Sequence, residues 1–498
     1  MKKTAIMLAA AIASAAPAGA TVVPGTPFKD KMVLQRSVEL PVWGTADPGE
    51  KVKVSFGGAT AETSAGADGR WSVRLPAMEA SSAGRVFKVN DIEIKDVLVG
   101  EVWFCAGQSN TEMPLVGSPH FMDREGLMMA QLIDEPLIRY AYCADYDWSP
   151  EPKREYTGEF TEWKEFNHDN LMPPHSFSAM GVYFALQIHR ATKVPVGIVG
   201  TYWGGTNIDA WTPREGYENC PDSIRDTAEW KIRGKDELEG WQAVAPIYDP
   251  WQQPTVLFNE MVAPWTPFAI KGFIWYQGCH NAGEAWRYCD KMHALYDGWS
   301  KVFENPSLKL YFVQLAPWKN SWWDIQLQQE KFADEEPNAG MAVSCDVGNI
   351  HDIHPNEKRY IGDRLAALAM KRDYGFDSVI ADYPRVSSMR REGNSLVLSV
   401  PGVSVWRLYN PDWSVEVPFE VCGADGVWKK AWLANSNGGR RAAEEWVTNG
   451  EVAGSELVVV SDEVAEPVAV RYLHEFPWRG ALFADSGLPL APFEKRLD

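Results

Sequence analysis

The sequence predicts an α/β protein, a parallel sheet covered by helices on both faces, with one β-domain before it and another after it. Three observations carry this. Between residues 100 and 381, apolar runs of strand length alternate with stretches of helical periodicity, the pattern of a parallel sheet with crossover helices. On either side of that interval the helical periodicity fades, and short strands are separated by turn residues, as in β-sandwiches. Finally, 498 residues exceed what one core usually holds, so two or three domains are expected.

The chain opens with Lys2 and Lys3, an apolar run from Ile6 to about Ala16, and Ala18-Gly19-Ala20. That is the pattern of a secretory leader over residues 1–20 with a small-residue cleavage site, so an exported product, periplasmic or extracellular, is expected. Residues 21–99 form the first β-domain, with strands at Val38–Trp43, Lys51–Phe56 and Gly69–Val73. Asp47-Pro48-Gly49 turns the chain between the first two, Pro fixing one dihedral and Gly freeing the next.

The central interval, 100–381, begins with the buried-strand run Val102–Ala106, which ends at Gly107-Gln108-Ser109-Asn110. Further strands are expected at Pro136–Tyr142, Val196–Val199, Gly272–Tyr276, Leu308–Val313 and Met341–Cys345. Helices are expected around Phe177–Ile188, where Phe177, Met180, Phe184 and Ile188 make one apolar stripe, and at Arg287–Phe303. The polar, Trp-containing stretch Thr212–Pro254 reads as an insertion over the site. Residues 382–498 carry the second β-domain, with strands at Ser395–Val400, Val415–Val421, Glu456–Val460 and Ala469–Tyr472.

A net charge of -19 excludes nucleic acid and anionic membrane as partners, because both are bound through clustered Lys and Arg. After the leader no apolar run is long enough to span a bilayer. The seven cysteines lie far apart with no paired Cys-x-x-Cys spacing, so no metal is expected, and their odd number leaves at least one thiol free; no cofactor is expected either, because the acyl transfer read below needs none.

Several strand ends carry residues suited to acyl transfer. Ser109 stands at the carboxyl end of a buried strand, where open α/β sheets place their ligands. A Ser nucleophile needs a base within reach and donors for the oxyanion. Asp352-Ile353-His354-Pro355, ahead of a helix with Ile361, Leu365 and Leu368 on one face, supplies a His able to reach across that edge. Each feature alone also has a plain reading, a turn Ser and a packing His.

Together they resemble a known family. Gly107-Gln108-Ser109-Asn110, Trp203-Gly204-Gly205-Thr206, Trp275-Tyr276-Gln277-Gly278 and Asp352-Ile353-His354-Pro355 occur in the order and setting of the sialate O-acetylesterase family of SGNH-type hydrolases. Phe28–Arg36 resembles the start of the family's amino-terminal β-domain, and Val470–Tyr472 with Gly487–Phe493 its carboxyl end. The resemblance implies a flavodoxin-like SGNH core, Ser109 as nucleophile and His354 as base. It places the oxyanion hole at the backbone N–H groups of Ser109 and Gly205 and a side-chain amide, Gln277 or, second, Asn281. The expected substrate is an acetylated glycan or sialic acid, with acetyl xylan as an alternative and a glycan-binding protein lacking turnover as another; the oligomeric state is left open.

Two departures stand out. Cys279-His280 replaces the family's Glu-Ser, which makes His280 a rival base and Cys279 a rival nucleophile, and Thr111 replaces a Met. His351 occupies the position of the usual SGNH Asp, so Asp352, on the same side as His354 in an extended segment, is the expected third member of a triad. A dyad oriented by a backbone carbonyl is the alternative. Trp203, Trp211, Trp265 and Trp275 lie in or near the motifs as candidate sugar-stacking surfaces.

Overall fold

The computed structural model describes residues 22–143, 146–154, 162–174, 176–228, 249–319, 322–409, 419–434, 449–474 and 482–497. Outside these lie the leader expected at 1–20, most of the expected strand Val415–Val421, and residues 229–248 of the insertion.

The central sheet runs in the order 164–166, 135–142, 196–202, 92–107, 272–276, 309–313, 339–342. All pairs are parallel except the edge strand Lys164–Phe166, which is antiparallel. Without the added strand Glu135–Tyr142 and that edge strand, the order is the flavodoxin-like 2-1-3-4-5. The order reverses around the strand Ile92–Gly107, and ligands of such sheets bind in the crevice at the carboxyl ends beside that reversal. Ser109 follows this strand by two residues.

Both faces of the sheet are covered, as its uninterrupted apolar strands require. Trp103 and Phe104 are neighbours and so point to opposite faces. Trp103 packs edge-on against Phe184 of the helix Ala179–Thr192, with ring centroids 5.1 Å apart. Phe104 meets Trp299 and Phe303 at the end of the helix Tyr288–Val302, at 5.8 and 5.3 Å. Both rings are fully buried, and each such burial stabilises the fold by about 1.5–3 kcal/mol.

The amino-terminal strands do not form a separate unit joined by a linker. Ile92–Gly107 is one strand of 16 residues. Its first half pairs with Ser81–Val89 and Val33–Gln35, its second half with the central sheet. The division expected between residues 99 and 100 therefore runs through a continuous strand. Arg139, on the strand Glu135–Tyr142, reinforces this joint by donating to the Lys31 carbonyl at 2.9 Å and pairing with the Asp96 carboxylate at 2.8 Å. A three-stranded sheet, Val23–Pro24, Leu40–Thr45 and Arg70–Leu75, completes this β region. After residue 382 the described strands form a seven-stranded and a three-stranded antiparallel sheet, sharing one continuous apolar core with the rest.

Candidate active site

Gly107 makes the turn that presents Ser109. Its φ of 143° favours glycine. A Cβ there would lie 2.4 Å from the Tyr276 carbonyl oxygen and 2.5 Å from Thr111 Oγ1. Thr111, where the family pattern has Met, is fully buried, and its hydroxyl lies 3.2 Å from the Ala106 carbonyl and 3.1 Å from that of Tyr276. The departure therefore ties the Ser109 turn to the neighbouring strand.

Ser109 begins the short helix Ser109–Glu112, so its N–H has no intrahelical partner. Its Oγ lies 2.9 Å from His354 Nε2. His354 Nδ1 lies 3.6 Å from Asp352 Oδ1, and the same oxygen accepts the His354 backbone N–H at 2.9 Å. Asp352 thus shapes the loop and faces the imidazole, at a separation longer than a hydrogen bond. Phe121 packs edge-on against the imidazole, ring centroids 5.1 Å apart. Burial, helped by the charge of Lys358, lowers the His354 pKa, and Asp352 opposes them.

Gly205 has φ 73°, and the position a Cβ would take is open space. Neither its N–H nor that of Ser109 meets a protein acceptor among the described residues. Gly204 lies closer still: its missing Cβ would be 3.2 Å from Ser109 Cβ, and its N–H donates to Glu112 Oε2 at 2.7 Å.

The first of the two side-chain amides does not take the part expected of it. Gln277 is fully buried. Its two amide hydrogens are engaged by the Thr206 carbonyl at 3.0 Å and Asn281 Oδ1 at 2.7 Å, and its Oε1 accepts from the Tyr288 hydroxyl at 2.7 Å. No hydrogen is left for an oxyanion. Asn281 is also buried; Nδ2 donates to Glu284 at 2.8 Å, and Oδ1 accepts from Gln277 and from the Ile208 N–H at 3.0 Å. Gln277 holds Thr206, and Asn281 holds Ile208 just beyond it, against the third motif.

The rivals also fall away. Burial pushes the Cys279 thiol up to about 12, far from the thiolate a nucleophile requires. His280 is exposed, sits among Asp249 and Glu284, and makes no hydrogen bond to Ser109. Trp211, Trp265 and Trp275 are core residues, at most 1% exposed, so of the four tryptophans only Trp203 is partly open to solvent.

Two residues escaped the sequence reading. Glu112 accepts from Gly204 N–H through one oxygen and from the Tyr146 hydroxyl, at 2.6 Å, through the other. Lys358, fully buried, donates to Asn110 Oδ1 at 2.6 Å, while Asn110 Nδ2 donates to the Ile353 carbonyl at 3.0 Å. This bridge links the residue after Ser109 to the residue before His354. Burial brings the Lys358 amine down to about 7. Positions three after Ser109 and four after His354 were the available signals.

Residues 243–371 match the carbohydrate esterase family of sialic acid-specific acetylesterases. Rat sialate O-acetylesterase is 24% identical over 401 residues, 69% of this chain and 72% of the relative. The human enzyme is 25% identical over 405 residues, 72% of each chain. The crystal structure of a carbohydrate acetylesterase from Xanthomonas citri superimposes with a TM-score of 0.77 and 30% identity, covering 95% of this chain and 99% of that one. The chain belongs to the sialate O-acetylesterase family. As a member of this family it is a carboxylic ester hydrolase.

Elsewhere, Cys289 and His293 on one helix and Glu335 on the next bring potential metal-ligating atoms within 4.8 Å of one another. Glu335 Oε2 lies 3.3 Å from the Cys289 thiol and 3.1 Å from His293 Nε2, so each already has a partner. All seven cysteines are free thiols. Among the described residues no helix is long and apolar enough to cross a membrane.

Proposed function

We propose that this sialate O-acetylesterase family member hydrolyses O-acetyl esters on sugars, O-acetylated sialic acid first, with Ser109 as nucleophile and an acyl-enzyme intermediate. The observation that carries the reading is the 2.9 Å contact between Ser109 Oγ and His354 Nε2, set beside two unengaged N–H groups at Ser109 and Gly205. His354 takes the Ser109 proton as Oγ attacks the acetyl carbonyl, and the oxyanion accepts from the two N–H groups. Collapse of the tetrahedral intermediate expels the sugar alkoxide, which takes the proton from Nε2. Water, deprotonated by the same imidazole, then releases acetate and restores Ser109. Asp352 orients His354 and favours its charged form. The leader pattern expected at residues 1–20 supports export as the setting for this activity.

Acetate release from a panel of O-acetylated sialic acids, acetylated xylans and other acetylated glycans, read by mass spectrometry, tests substrate and mechanism together. The proposal expects release by the wild type, none by Ser109→Ala, and an organophosphonate adduct on Ser109. Acetate from xylan alone would move the substrate to plant glycans, and sugar affinity without turnover would favour the binding-protein alternative. An adduct on Cys279 would overturn the Ser109 mechanism.

A further inference from the structure

Beside the nucleophile, three aromatic rings stand in a row that the chemistry of acyl transfer does not use. Trp203 stacks on Trp251, ring centroids 5.7 Å apart and planes 19° from parallel, and Tyr146 lies against Trp203 at 5.3 Å. Trp203 and Trp251 are half-buried and Tyr146 is 53% exposed. Aromatic surface left in water is costly, at about 25 cal/mol for each Å² a contact would have removed, and a patch of it beside a reaction centre marks a binding surface.

The row is anchored to the reacting groups at three points. The backbone N–H of Trp203 donates to the Gly107 carbonyl at 3.2 Å, and the next two residues are Gly204, packed on Ser109, and Gly205. Glu112, three residues after Ser109, holds the Tyr146 hydroxyl with one oxygen and the Gly204 N–H with the other. Gln252, next to Trp251, donates to the Gly205 carbonyl at 2.7 Å and accepts the Asn207 N–H at 2.9 Å. The rings are therefore fixed relative to the nucleophile and the Gly205 N–H, as a surface that positions a substrate must be. Asp249 and His280, both exposed and electrostatically coupled, supply polar groups near the Trp251 end.

We propose that Tyr146, Trp203 and Trp251 form a platform on which the pyranose ring bearing the acetyl group stacks through its C–H face, its hydroxyls turned to the polar edge. The proposal rests on the sugar O-acetylesterase reading above and names where that sugar binds. Indole and phenol faces suit the occupant, because a pyranose presents an apolar face of C–H bonds between polar edges.

The test compares two acetates in the full chain: ethyl acetate, which has no ring, and peracetylated methyl glucopyranoside, with O-acetylated sialic acid as a parallel arm. Trp251→Ala, and separately Tyr146→Ala, should lower kcat/KM for the pyranosides about ten- to a hundredfold more than for ethyl acetate, chiefly through KM. Equal losses on both kinds of ester, or no loss on either, would overturn the platform. Calorimetric titration of Ser109→Ala with the same pyranosides supplies a readout free of turnover. Binding that weakens about tenfold when Trp251→Ala is added supports the platform even if the wild type releases no acetate from sugars, an outcome that would sink the activity reading alone. Absence of binding, or binding indifferent to Trp251→Ala, would overturn the platform whatever the wild type hydrolyses.

Discussion

Two turns at the carboxyl edge of the sheet share a plan and end in opposite chemical states. Gly107 and Gly278 sit at the ends of adjacent parallel strands with nearly equal φ, 143° and 145°. Each turn carries a glutamine, and the two interlock: Gln108 N–H donates to the Tyr276 carbonyl, and Gly278 N–H to Gln108 Oε1, both at 3.2 Å. In the first turn, Ser109 keeps its N–H free and directs its hydroxyl at an imidazole. In the second, both amide hydrogens of Gln277 are bonded inside the protein, and desolvation keeps the half-buried Cys279 a neutral thiol. The difference teaches that a polar residue at this edge is available for chemistry only where packing leaves it a donor or a nucleophile. The first turn presents a hydroxyl paired with an imidazole, and the second is scaffold.

The largest expected effect is at Ser109. Ser109→Ala should lower ester turnover by at least about four orders of magnitude. The thermal midpoint should stay within about a degree of wild type, because a turn hydroxyl contributes little packing. Turnover surviving in the variant would place the nucleophile elsewhere.

Gly205→Ala comes next. Alanine at φ 73° is strained by about 1–2 kcal/mol and moves the N–H offered to the oxyanion, although space for the methyl group exists. Loss of one such donor costs about a hundred- to a thousandfold in turnover. Steady-state kinetics should show that loss in kcat with KM little changed, and a variant within threefold of wild type would remove Gly205 from the oxyanion site.

Asp352→Asn separates triad from dyad. A close, hydrogen-bonded Asp loses about ten-thousandfold on this change. With Oδ1 3.6 Å from Nδ1, a smaller loss of about a hundredfold is expected. Turnover within tenfold of wild type would leave a Ser109 and His354 dyad.

The pH profile tests the buried bridge behind the first turn. In the proposed mechanism His354 acts as a base only when neutral, so activity should fall as pH drops through its pKa. Burial and the Lys358 charge lower that pKa, which places the acid limb below the ordinary imidazole range. Lys358 itself, at about 7, is charged throughout that limb. Lys358→Met removes the like charge, so the acid limb should move up in pH, and kcat should fall as Asn110 loses its hold on the loop. An unmoved limb in a folded variant would deny the lysine any influence on the imidazole.

How much of this could be read from the chain follows the same division. Ser109 and His354 stood out as candidates because a strand-end turn and a loop-to-helix junction bring such groups to one edge of the sheet, whereas Gly205 stood out only through the resemblance of its motif to the family. The central strands were legible because a sheet covered on both faces needs unbroken apolar runs, as in Val196–Tyr202. The continuity of Ile92–Gly107 was not, since its alternating first half and its uniformly apolar second half resemble two strands in two domains. Lys358 and Glu112 were hidden because a charged residue on a helix reads as solvated unless its partners, distant in sequence, are known. Gln277 misled for a related reason: an amide beside an active site has the same letter whether its hydrogens are free or bonded.

Gln277 therefore carries the smallest expected effect on turnover and the sharpest test of the contrast between the turns. In Gln277→Leu the Tyr288 hydroxyl loses Oε1 but still lies 3.0 Å from the Gln277 carbonyl, whereas the Thr206 carbonyl loses the side-chain donor it had in a dry interior. A buried polar group left without its partner costs about 1–3 kcal/mol, so the variant should be destabilised by roughly 2–4 kcal/mol, read as a lower denaturant midpoint. Turnover per folded molecule should stay within about threefold, because the amide has no hydrogen to offer an oxyanion in the first place. The opposite pattern, an unchanged midpoint with a hundred- to thousandfold loss in kcat, would mean that Gln277 turns toward the substrate during the reaction. It would also make the second turn a working part of the oxyanion site and end the distinction between the two.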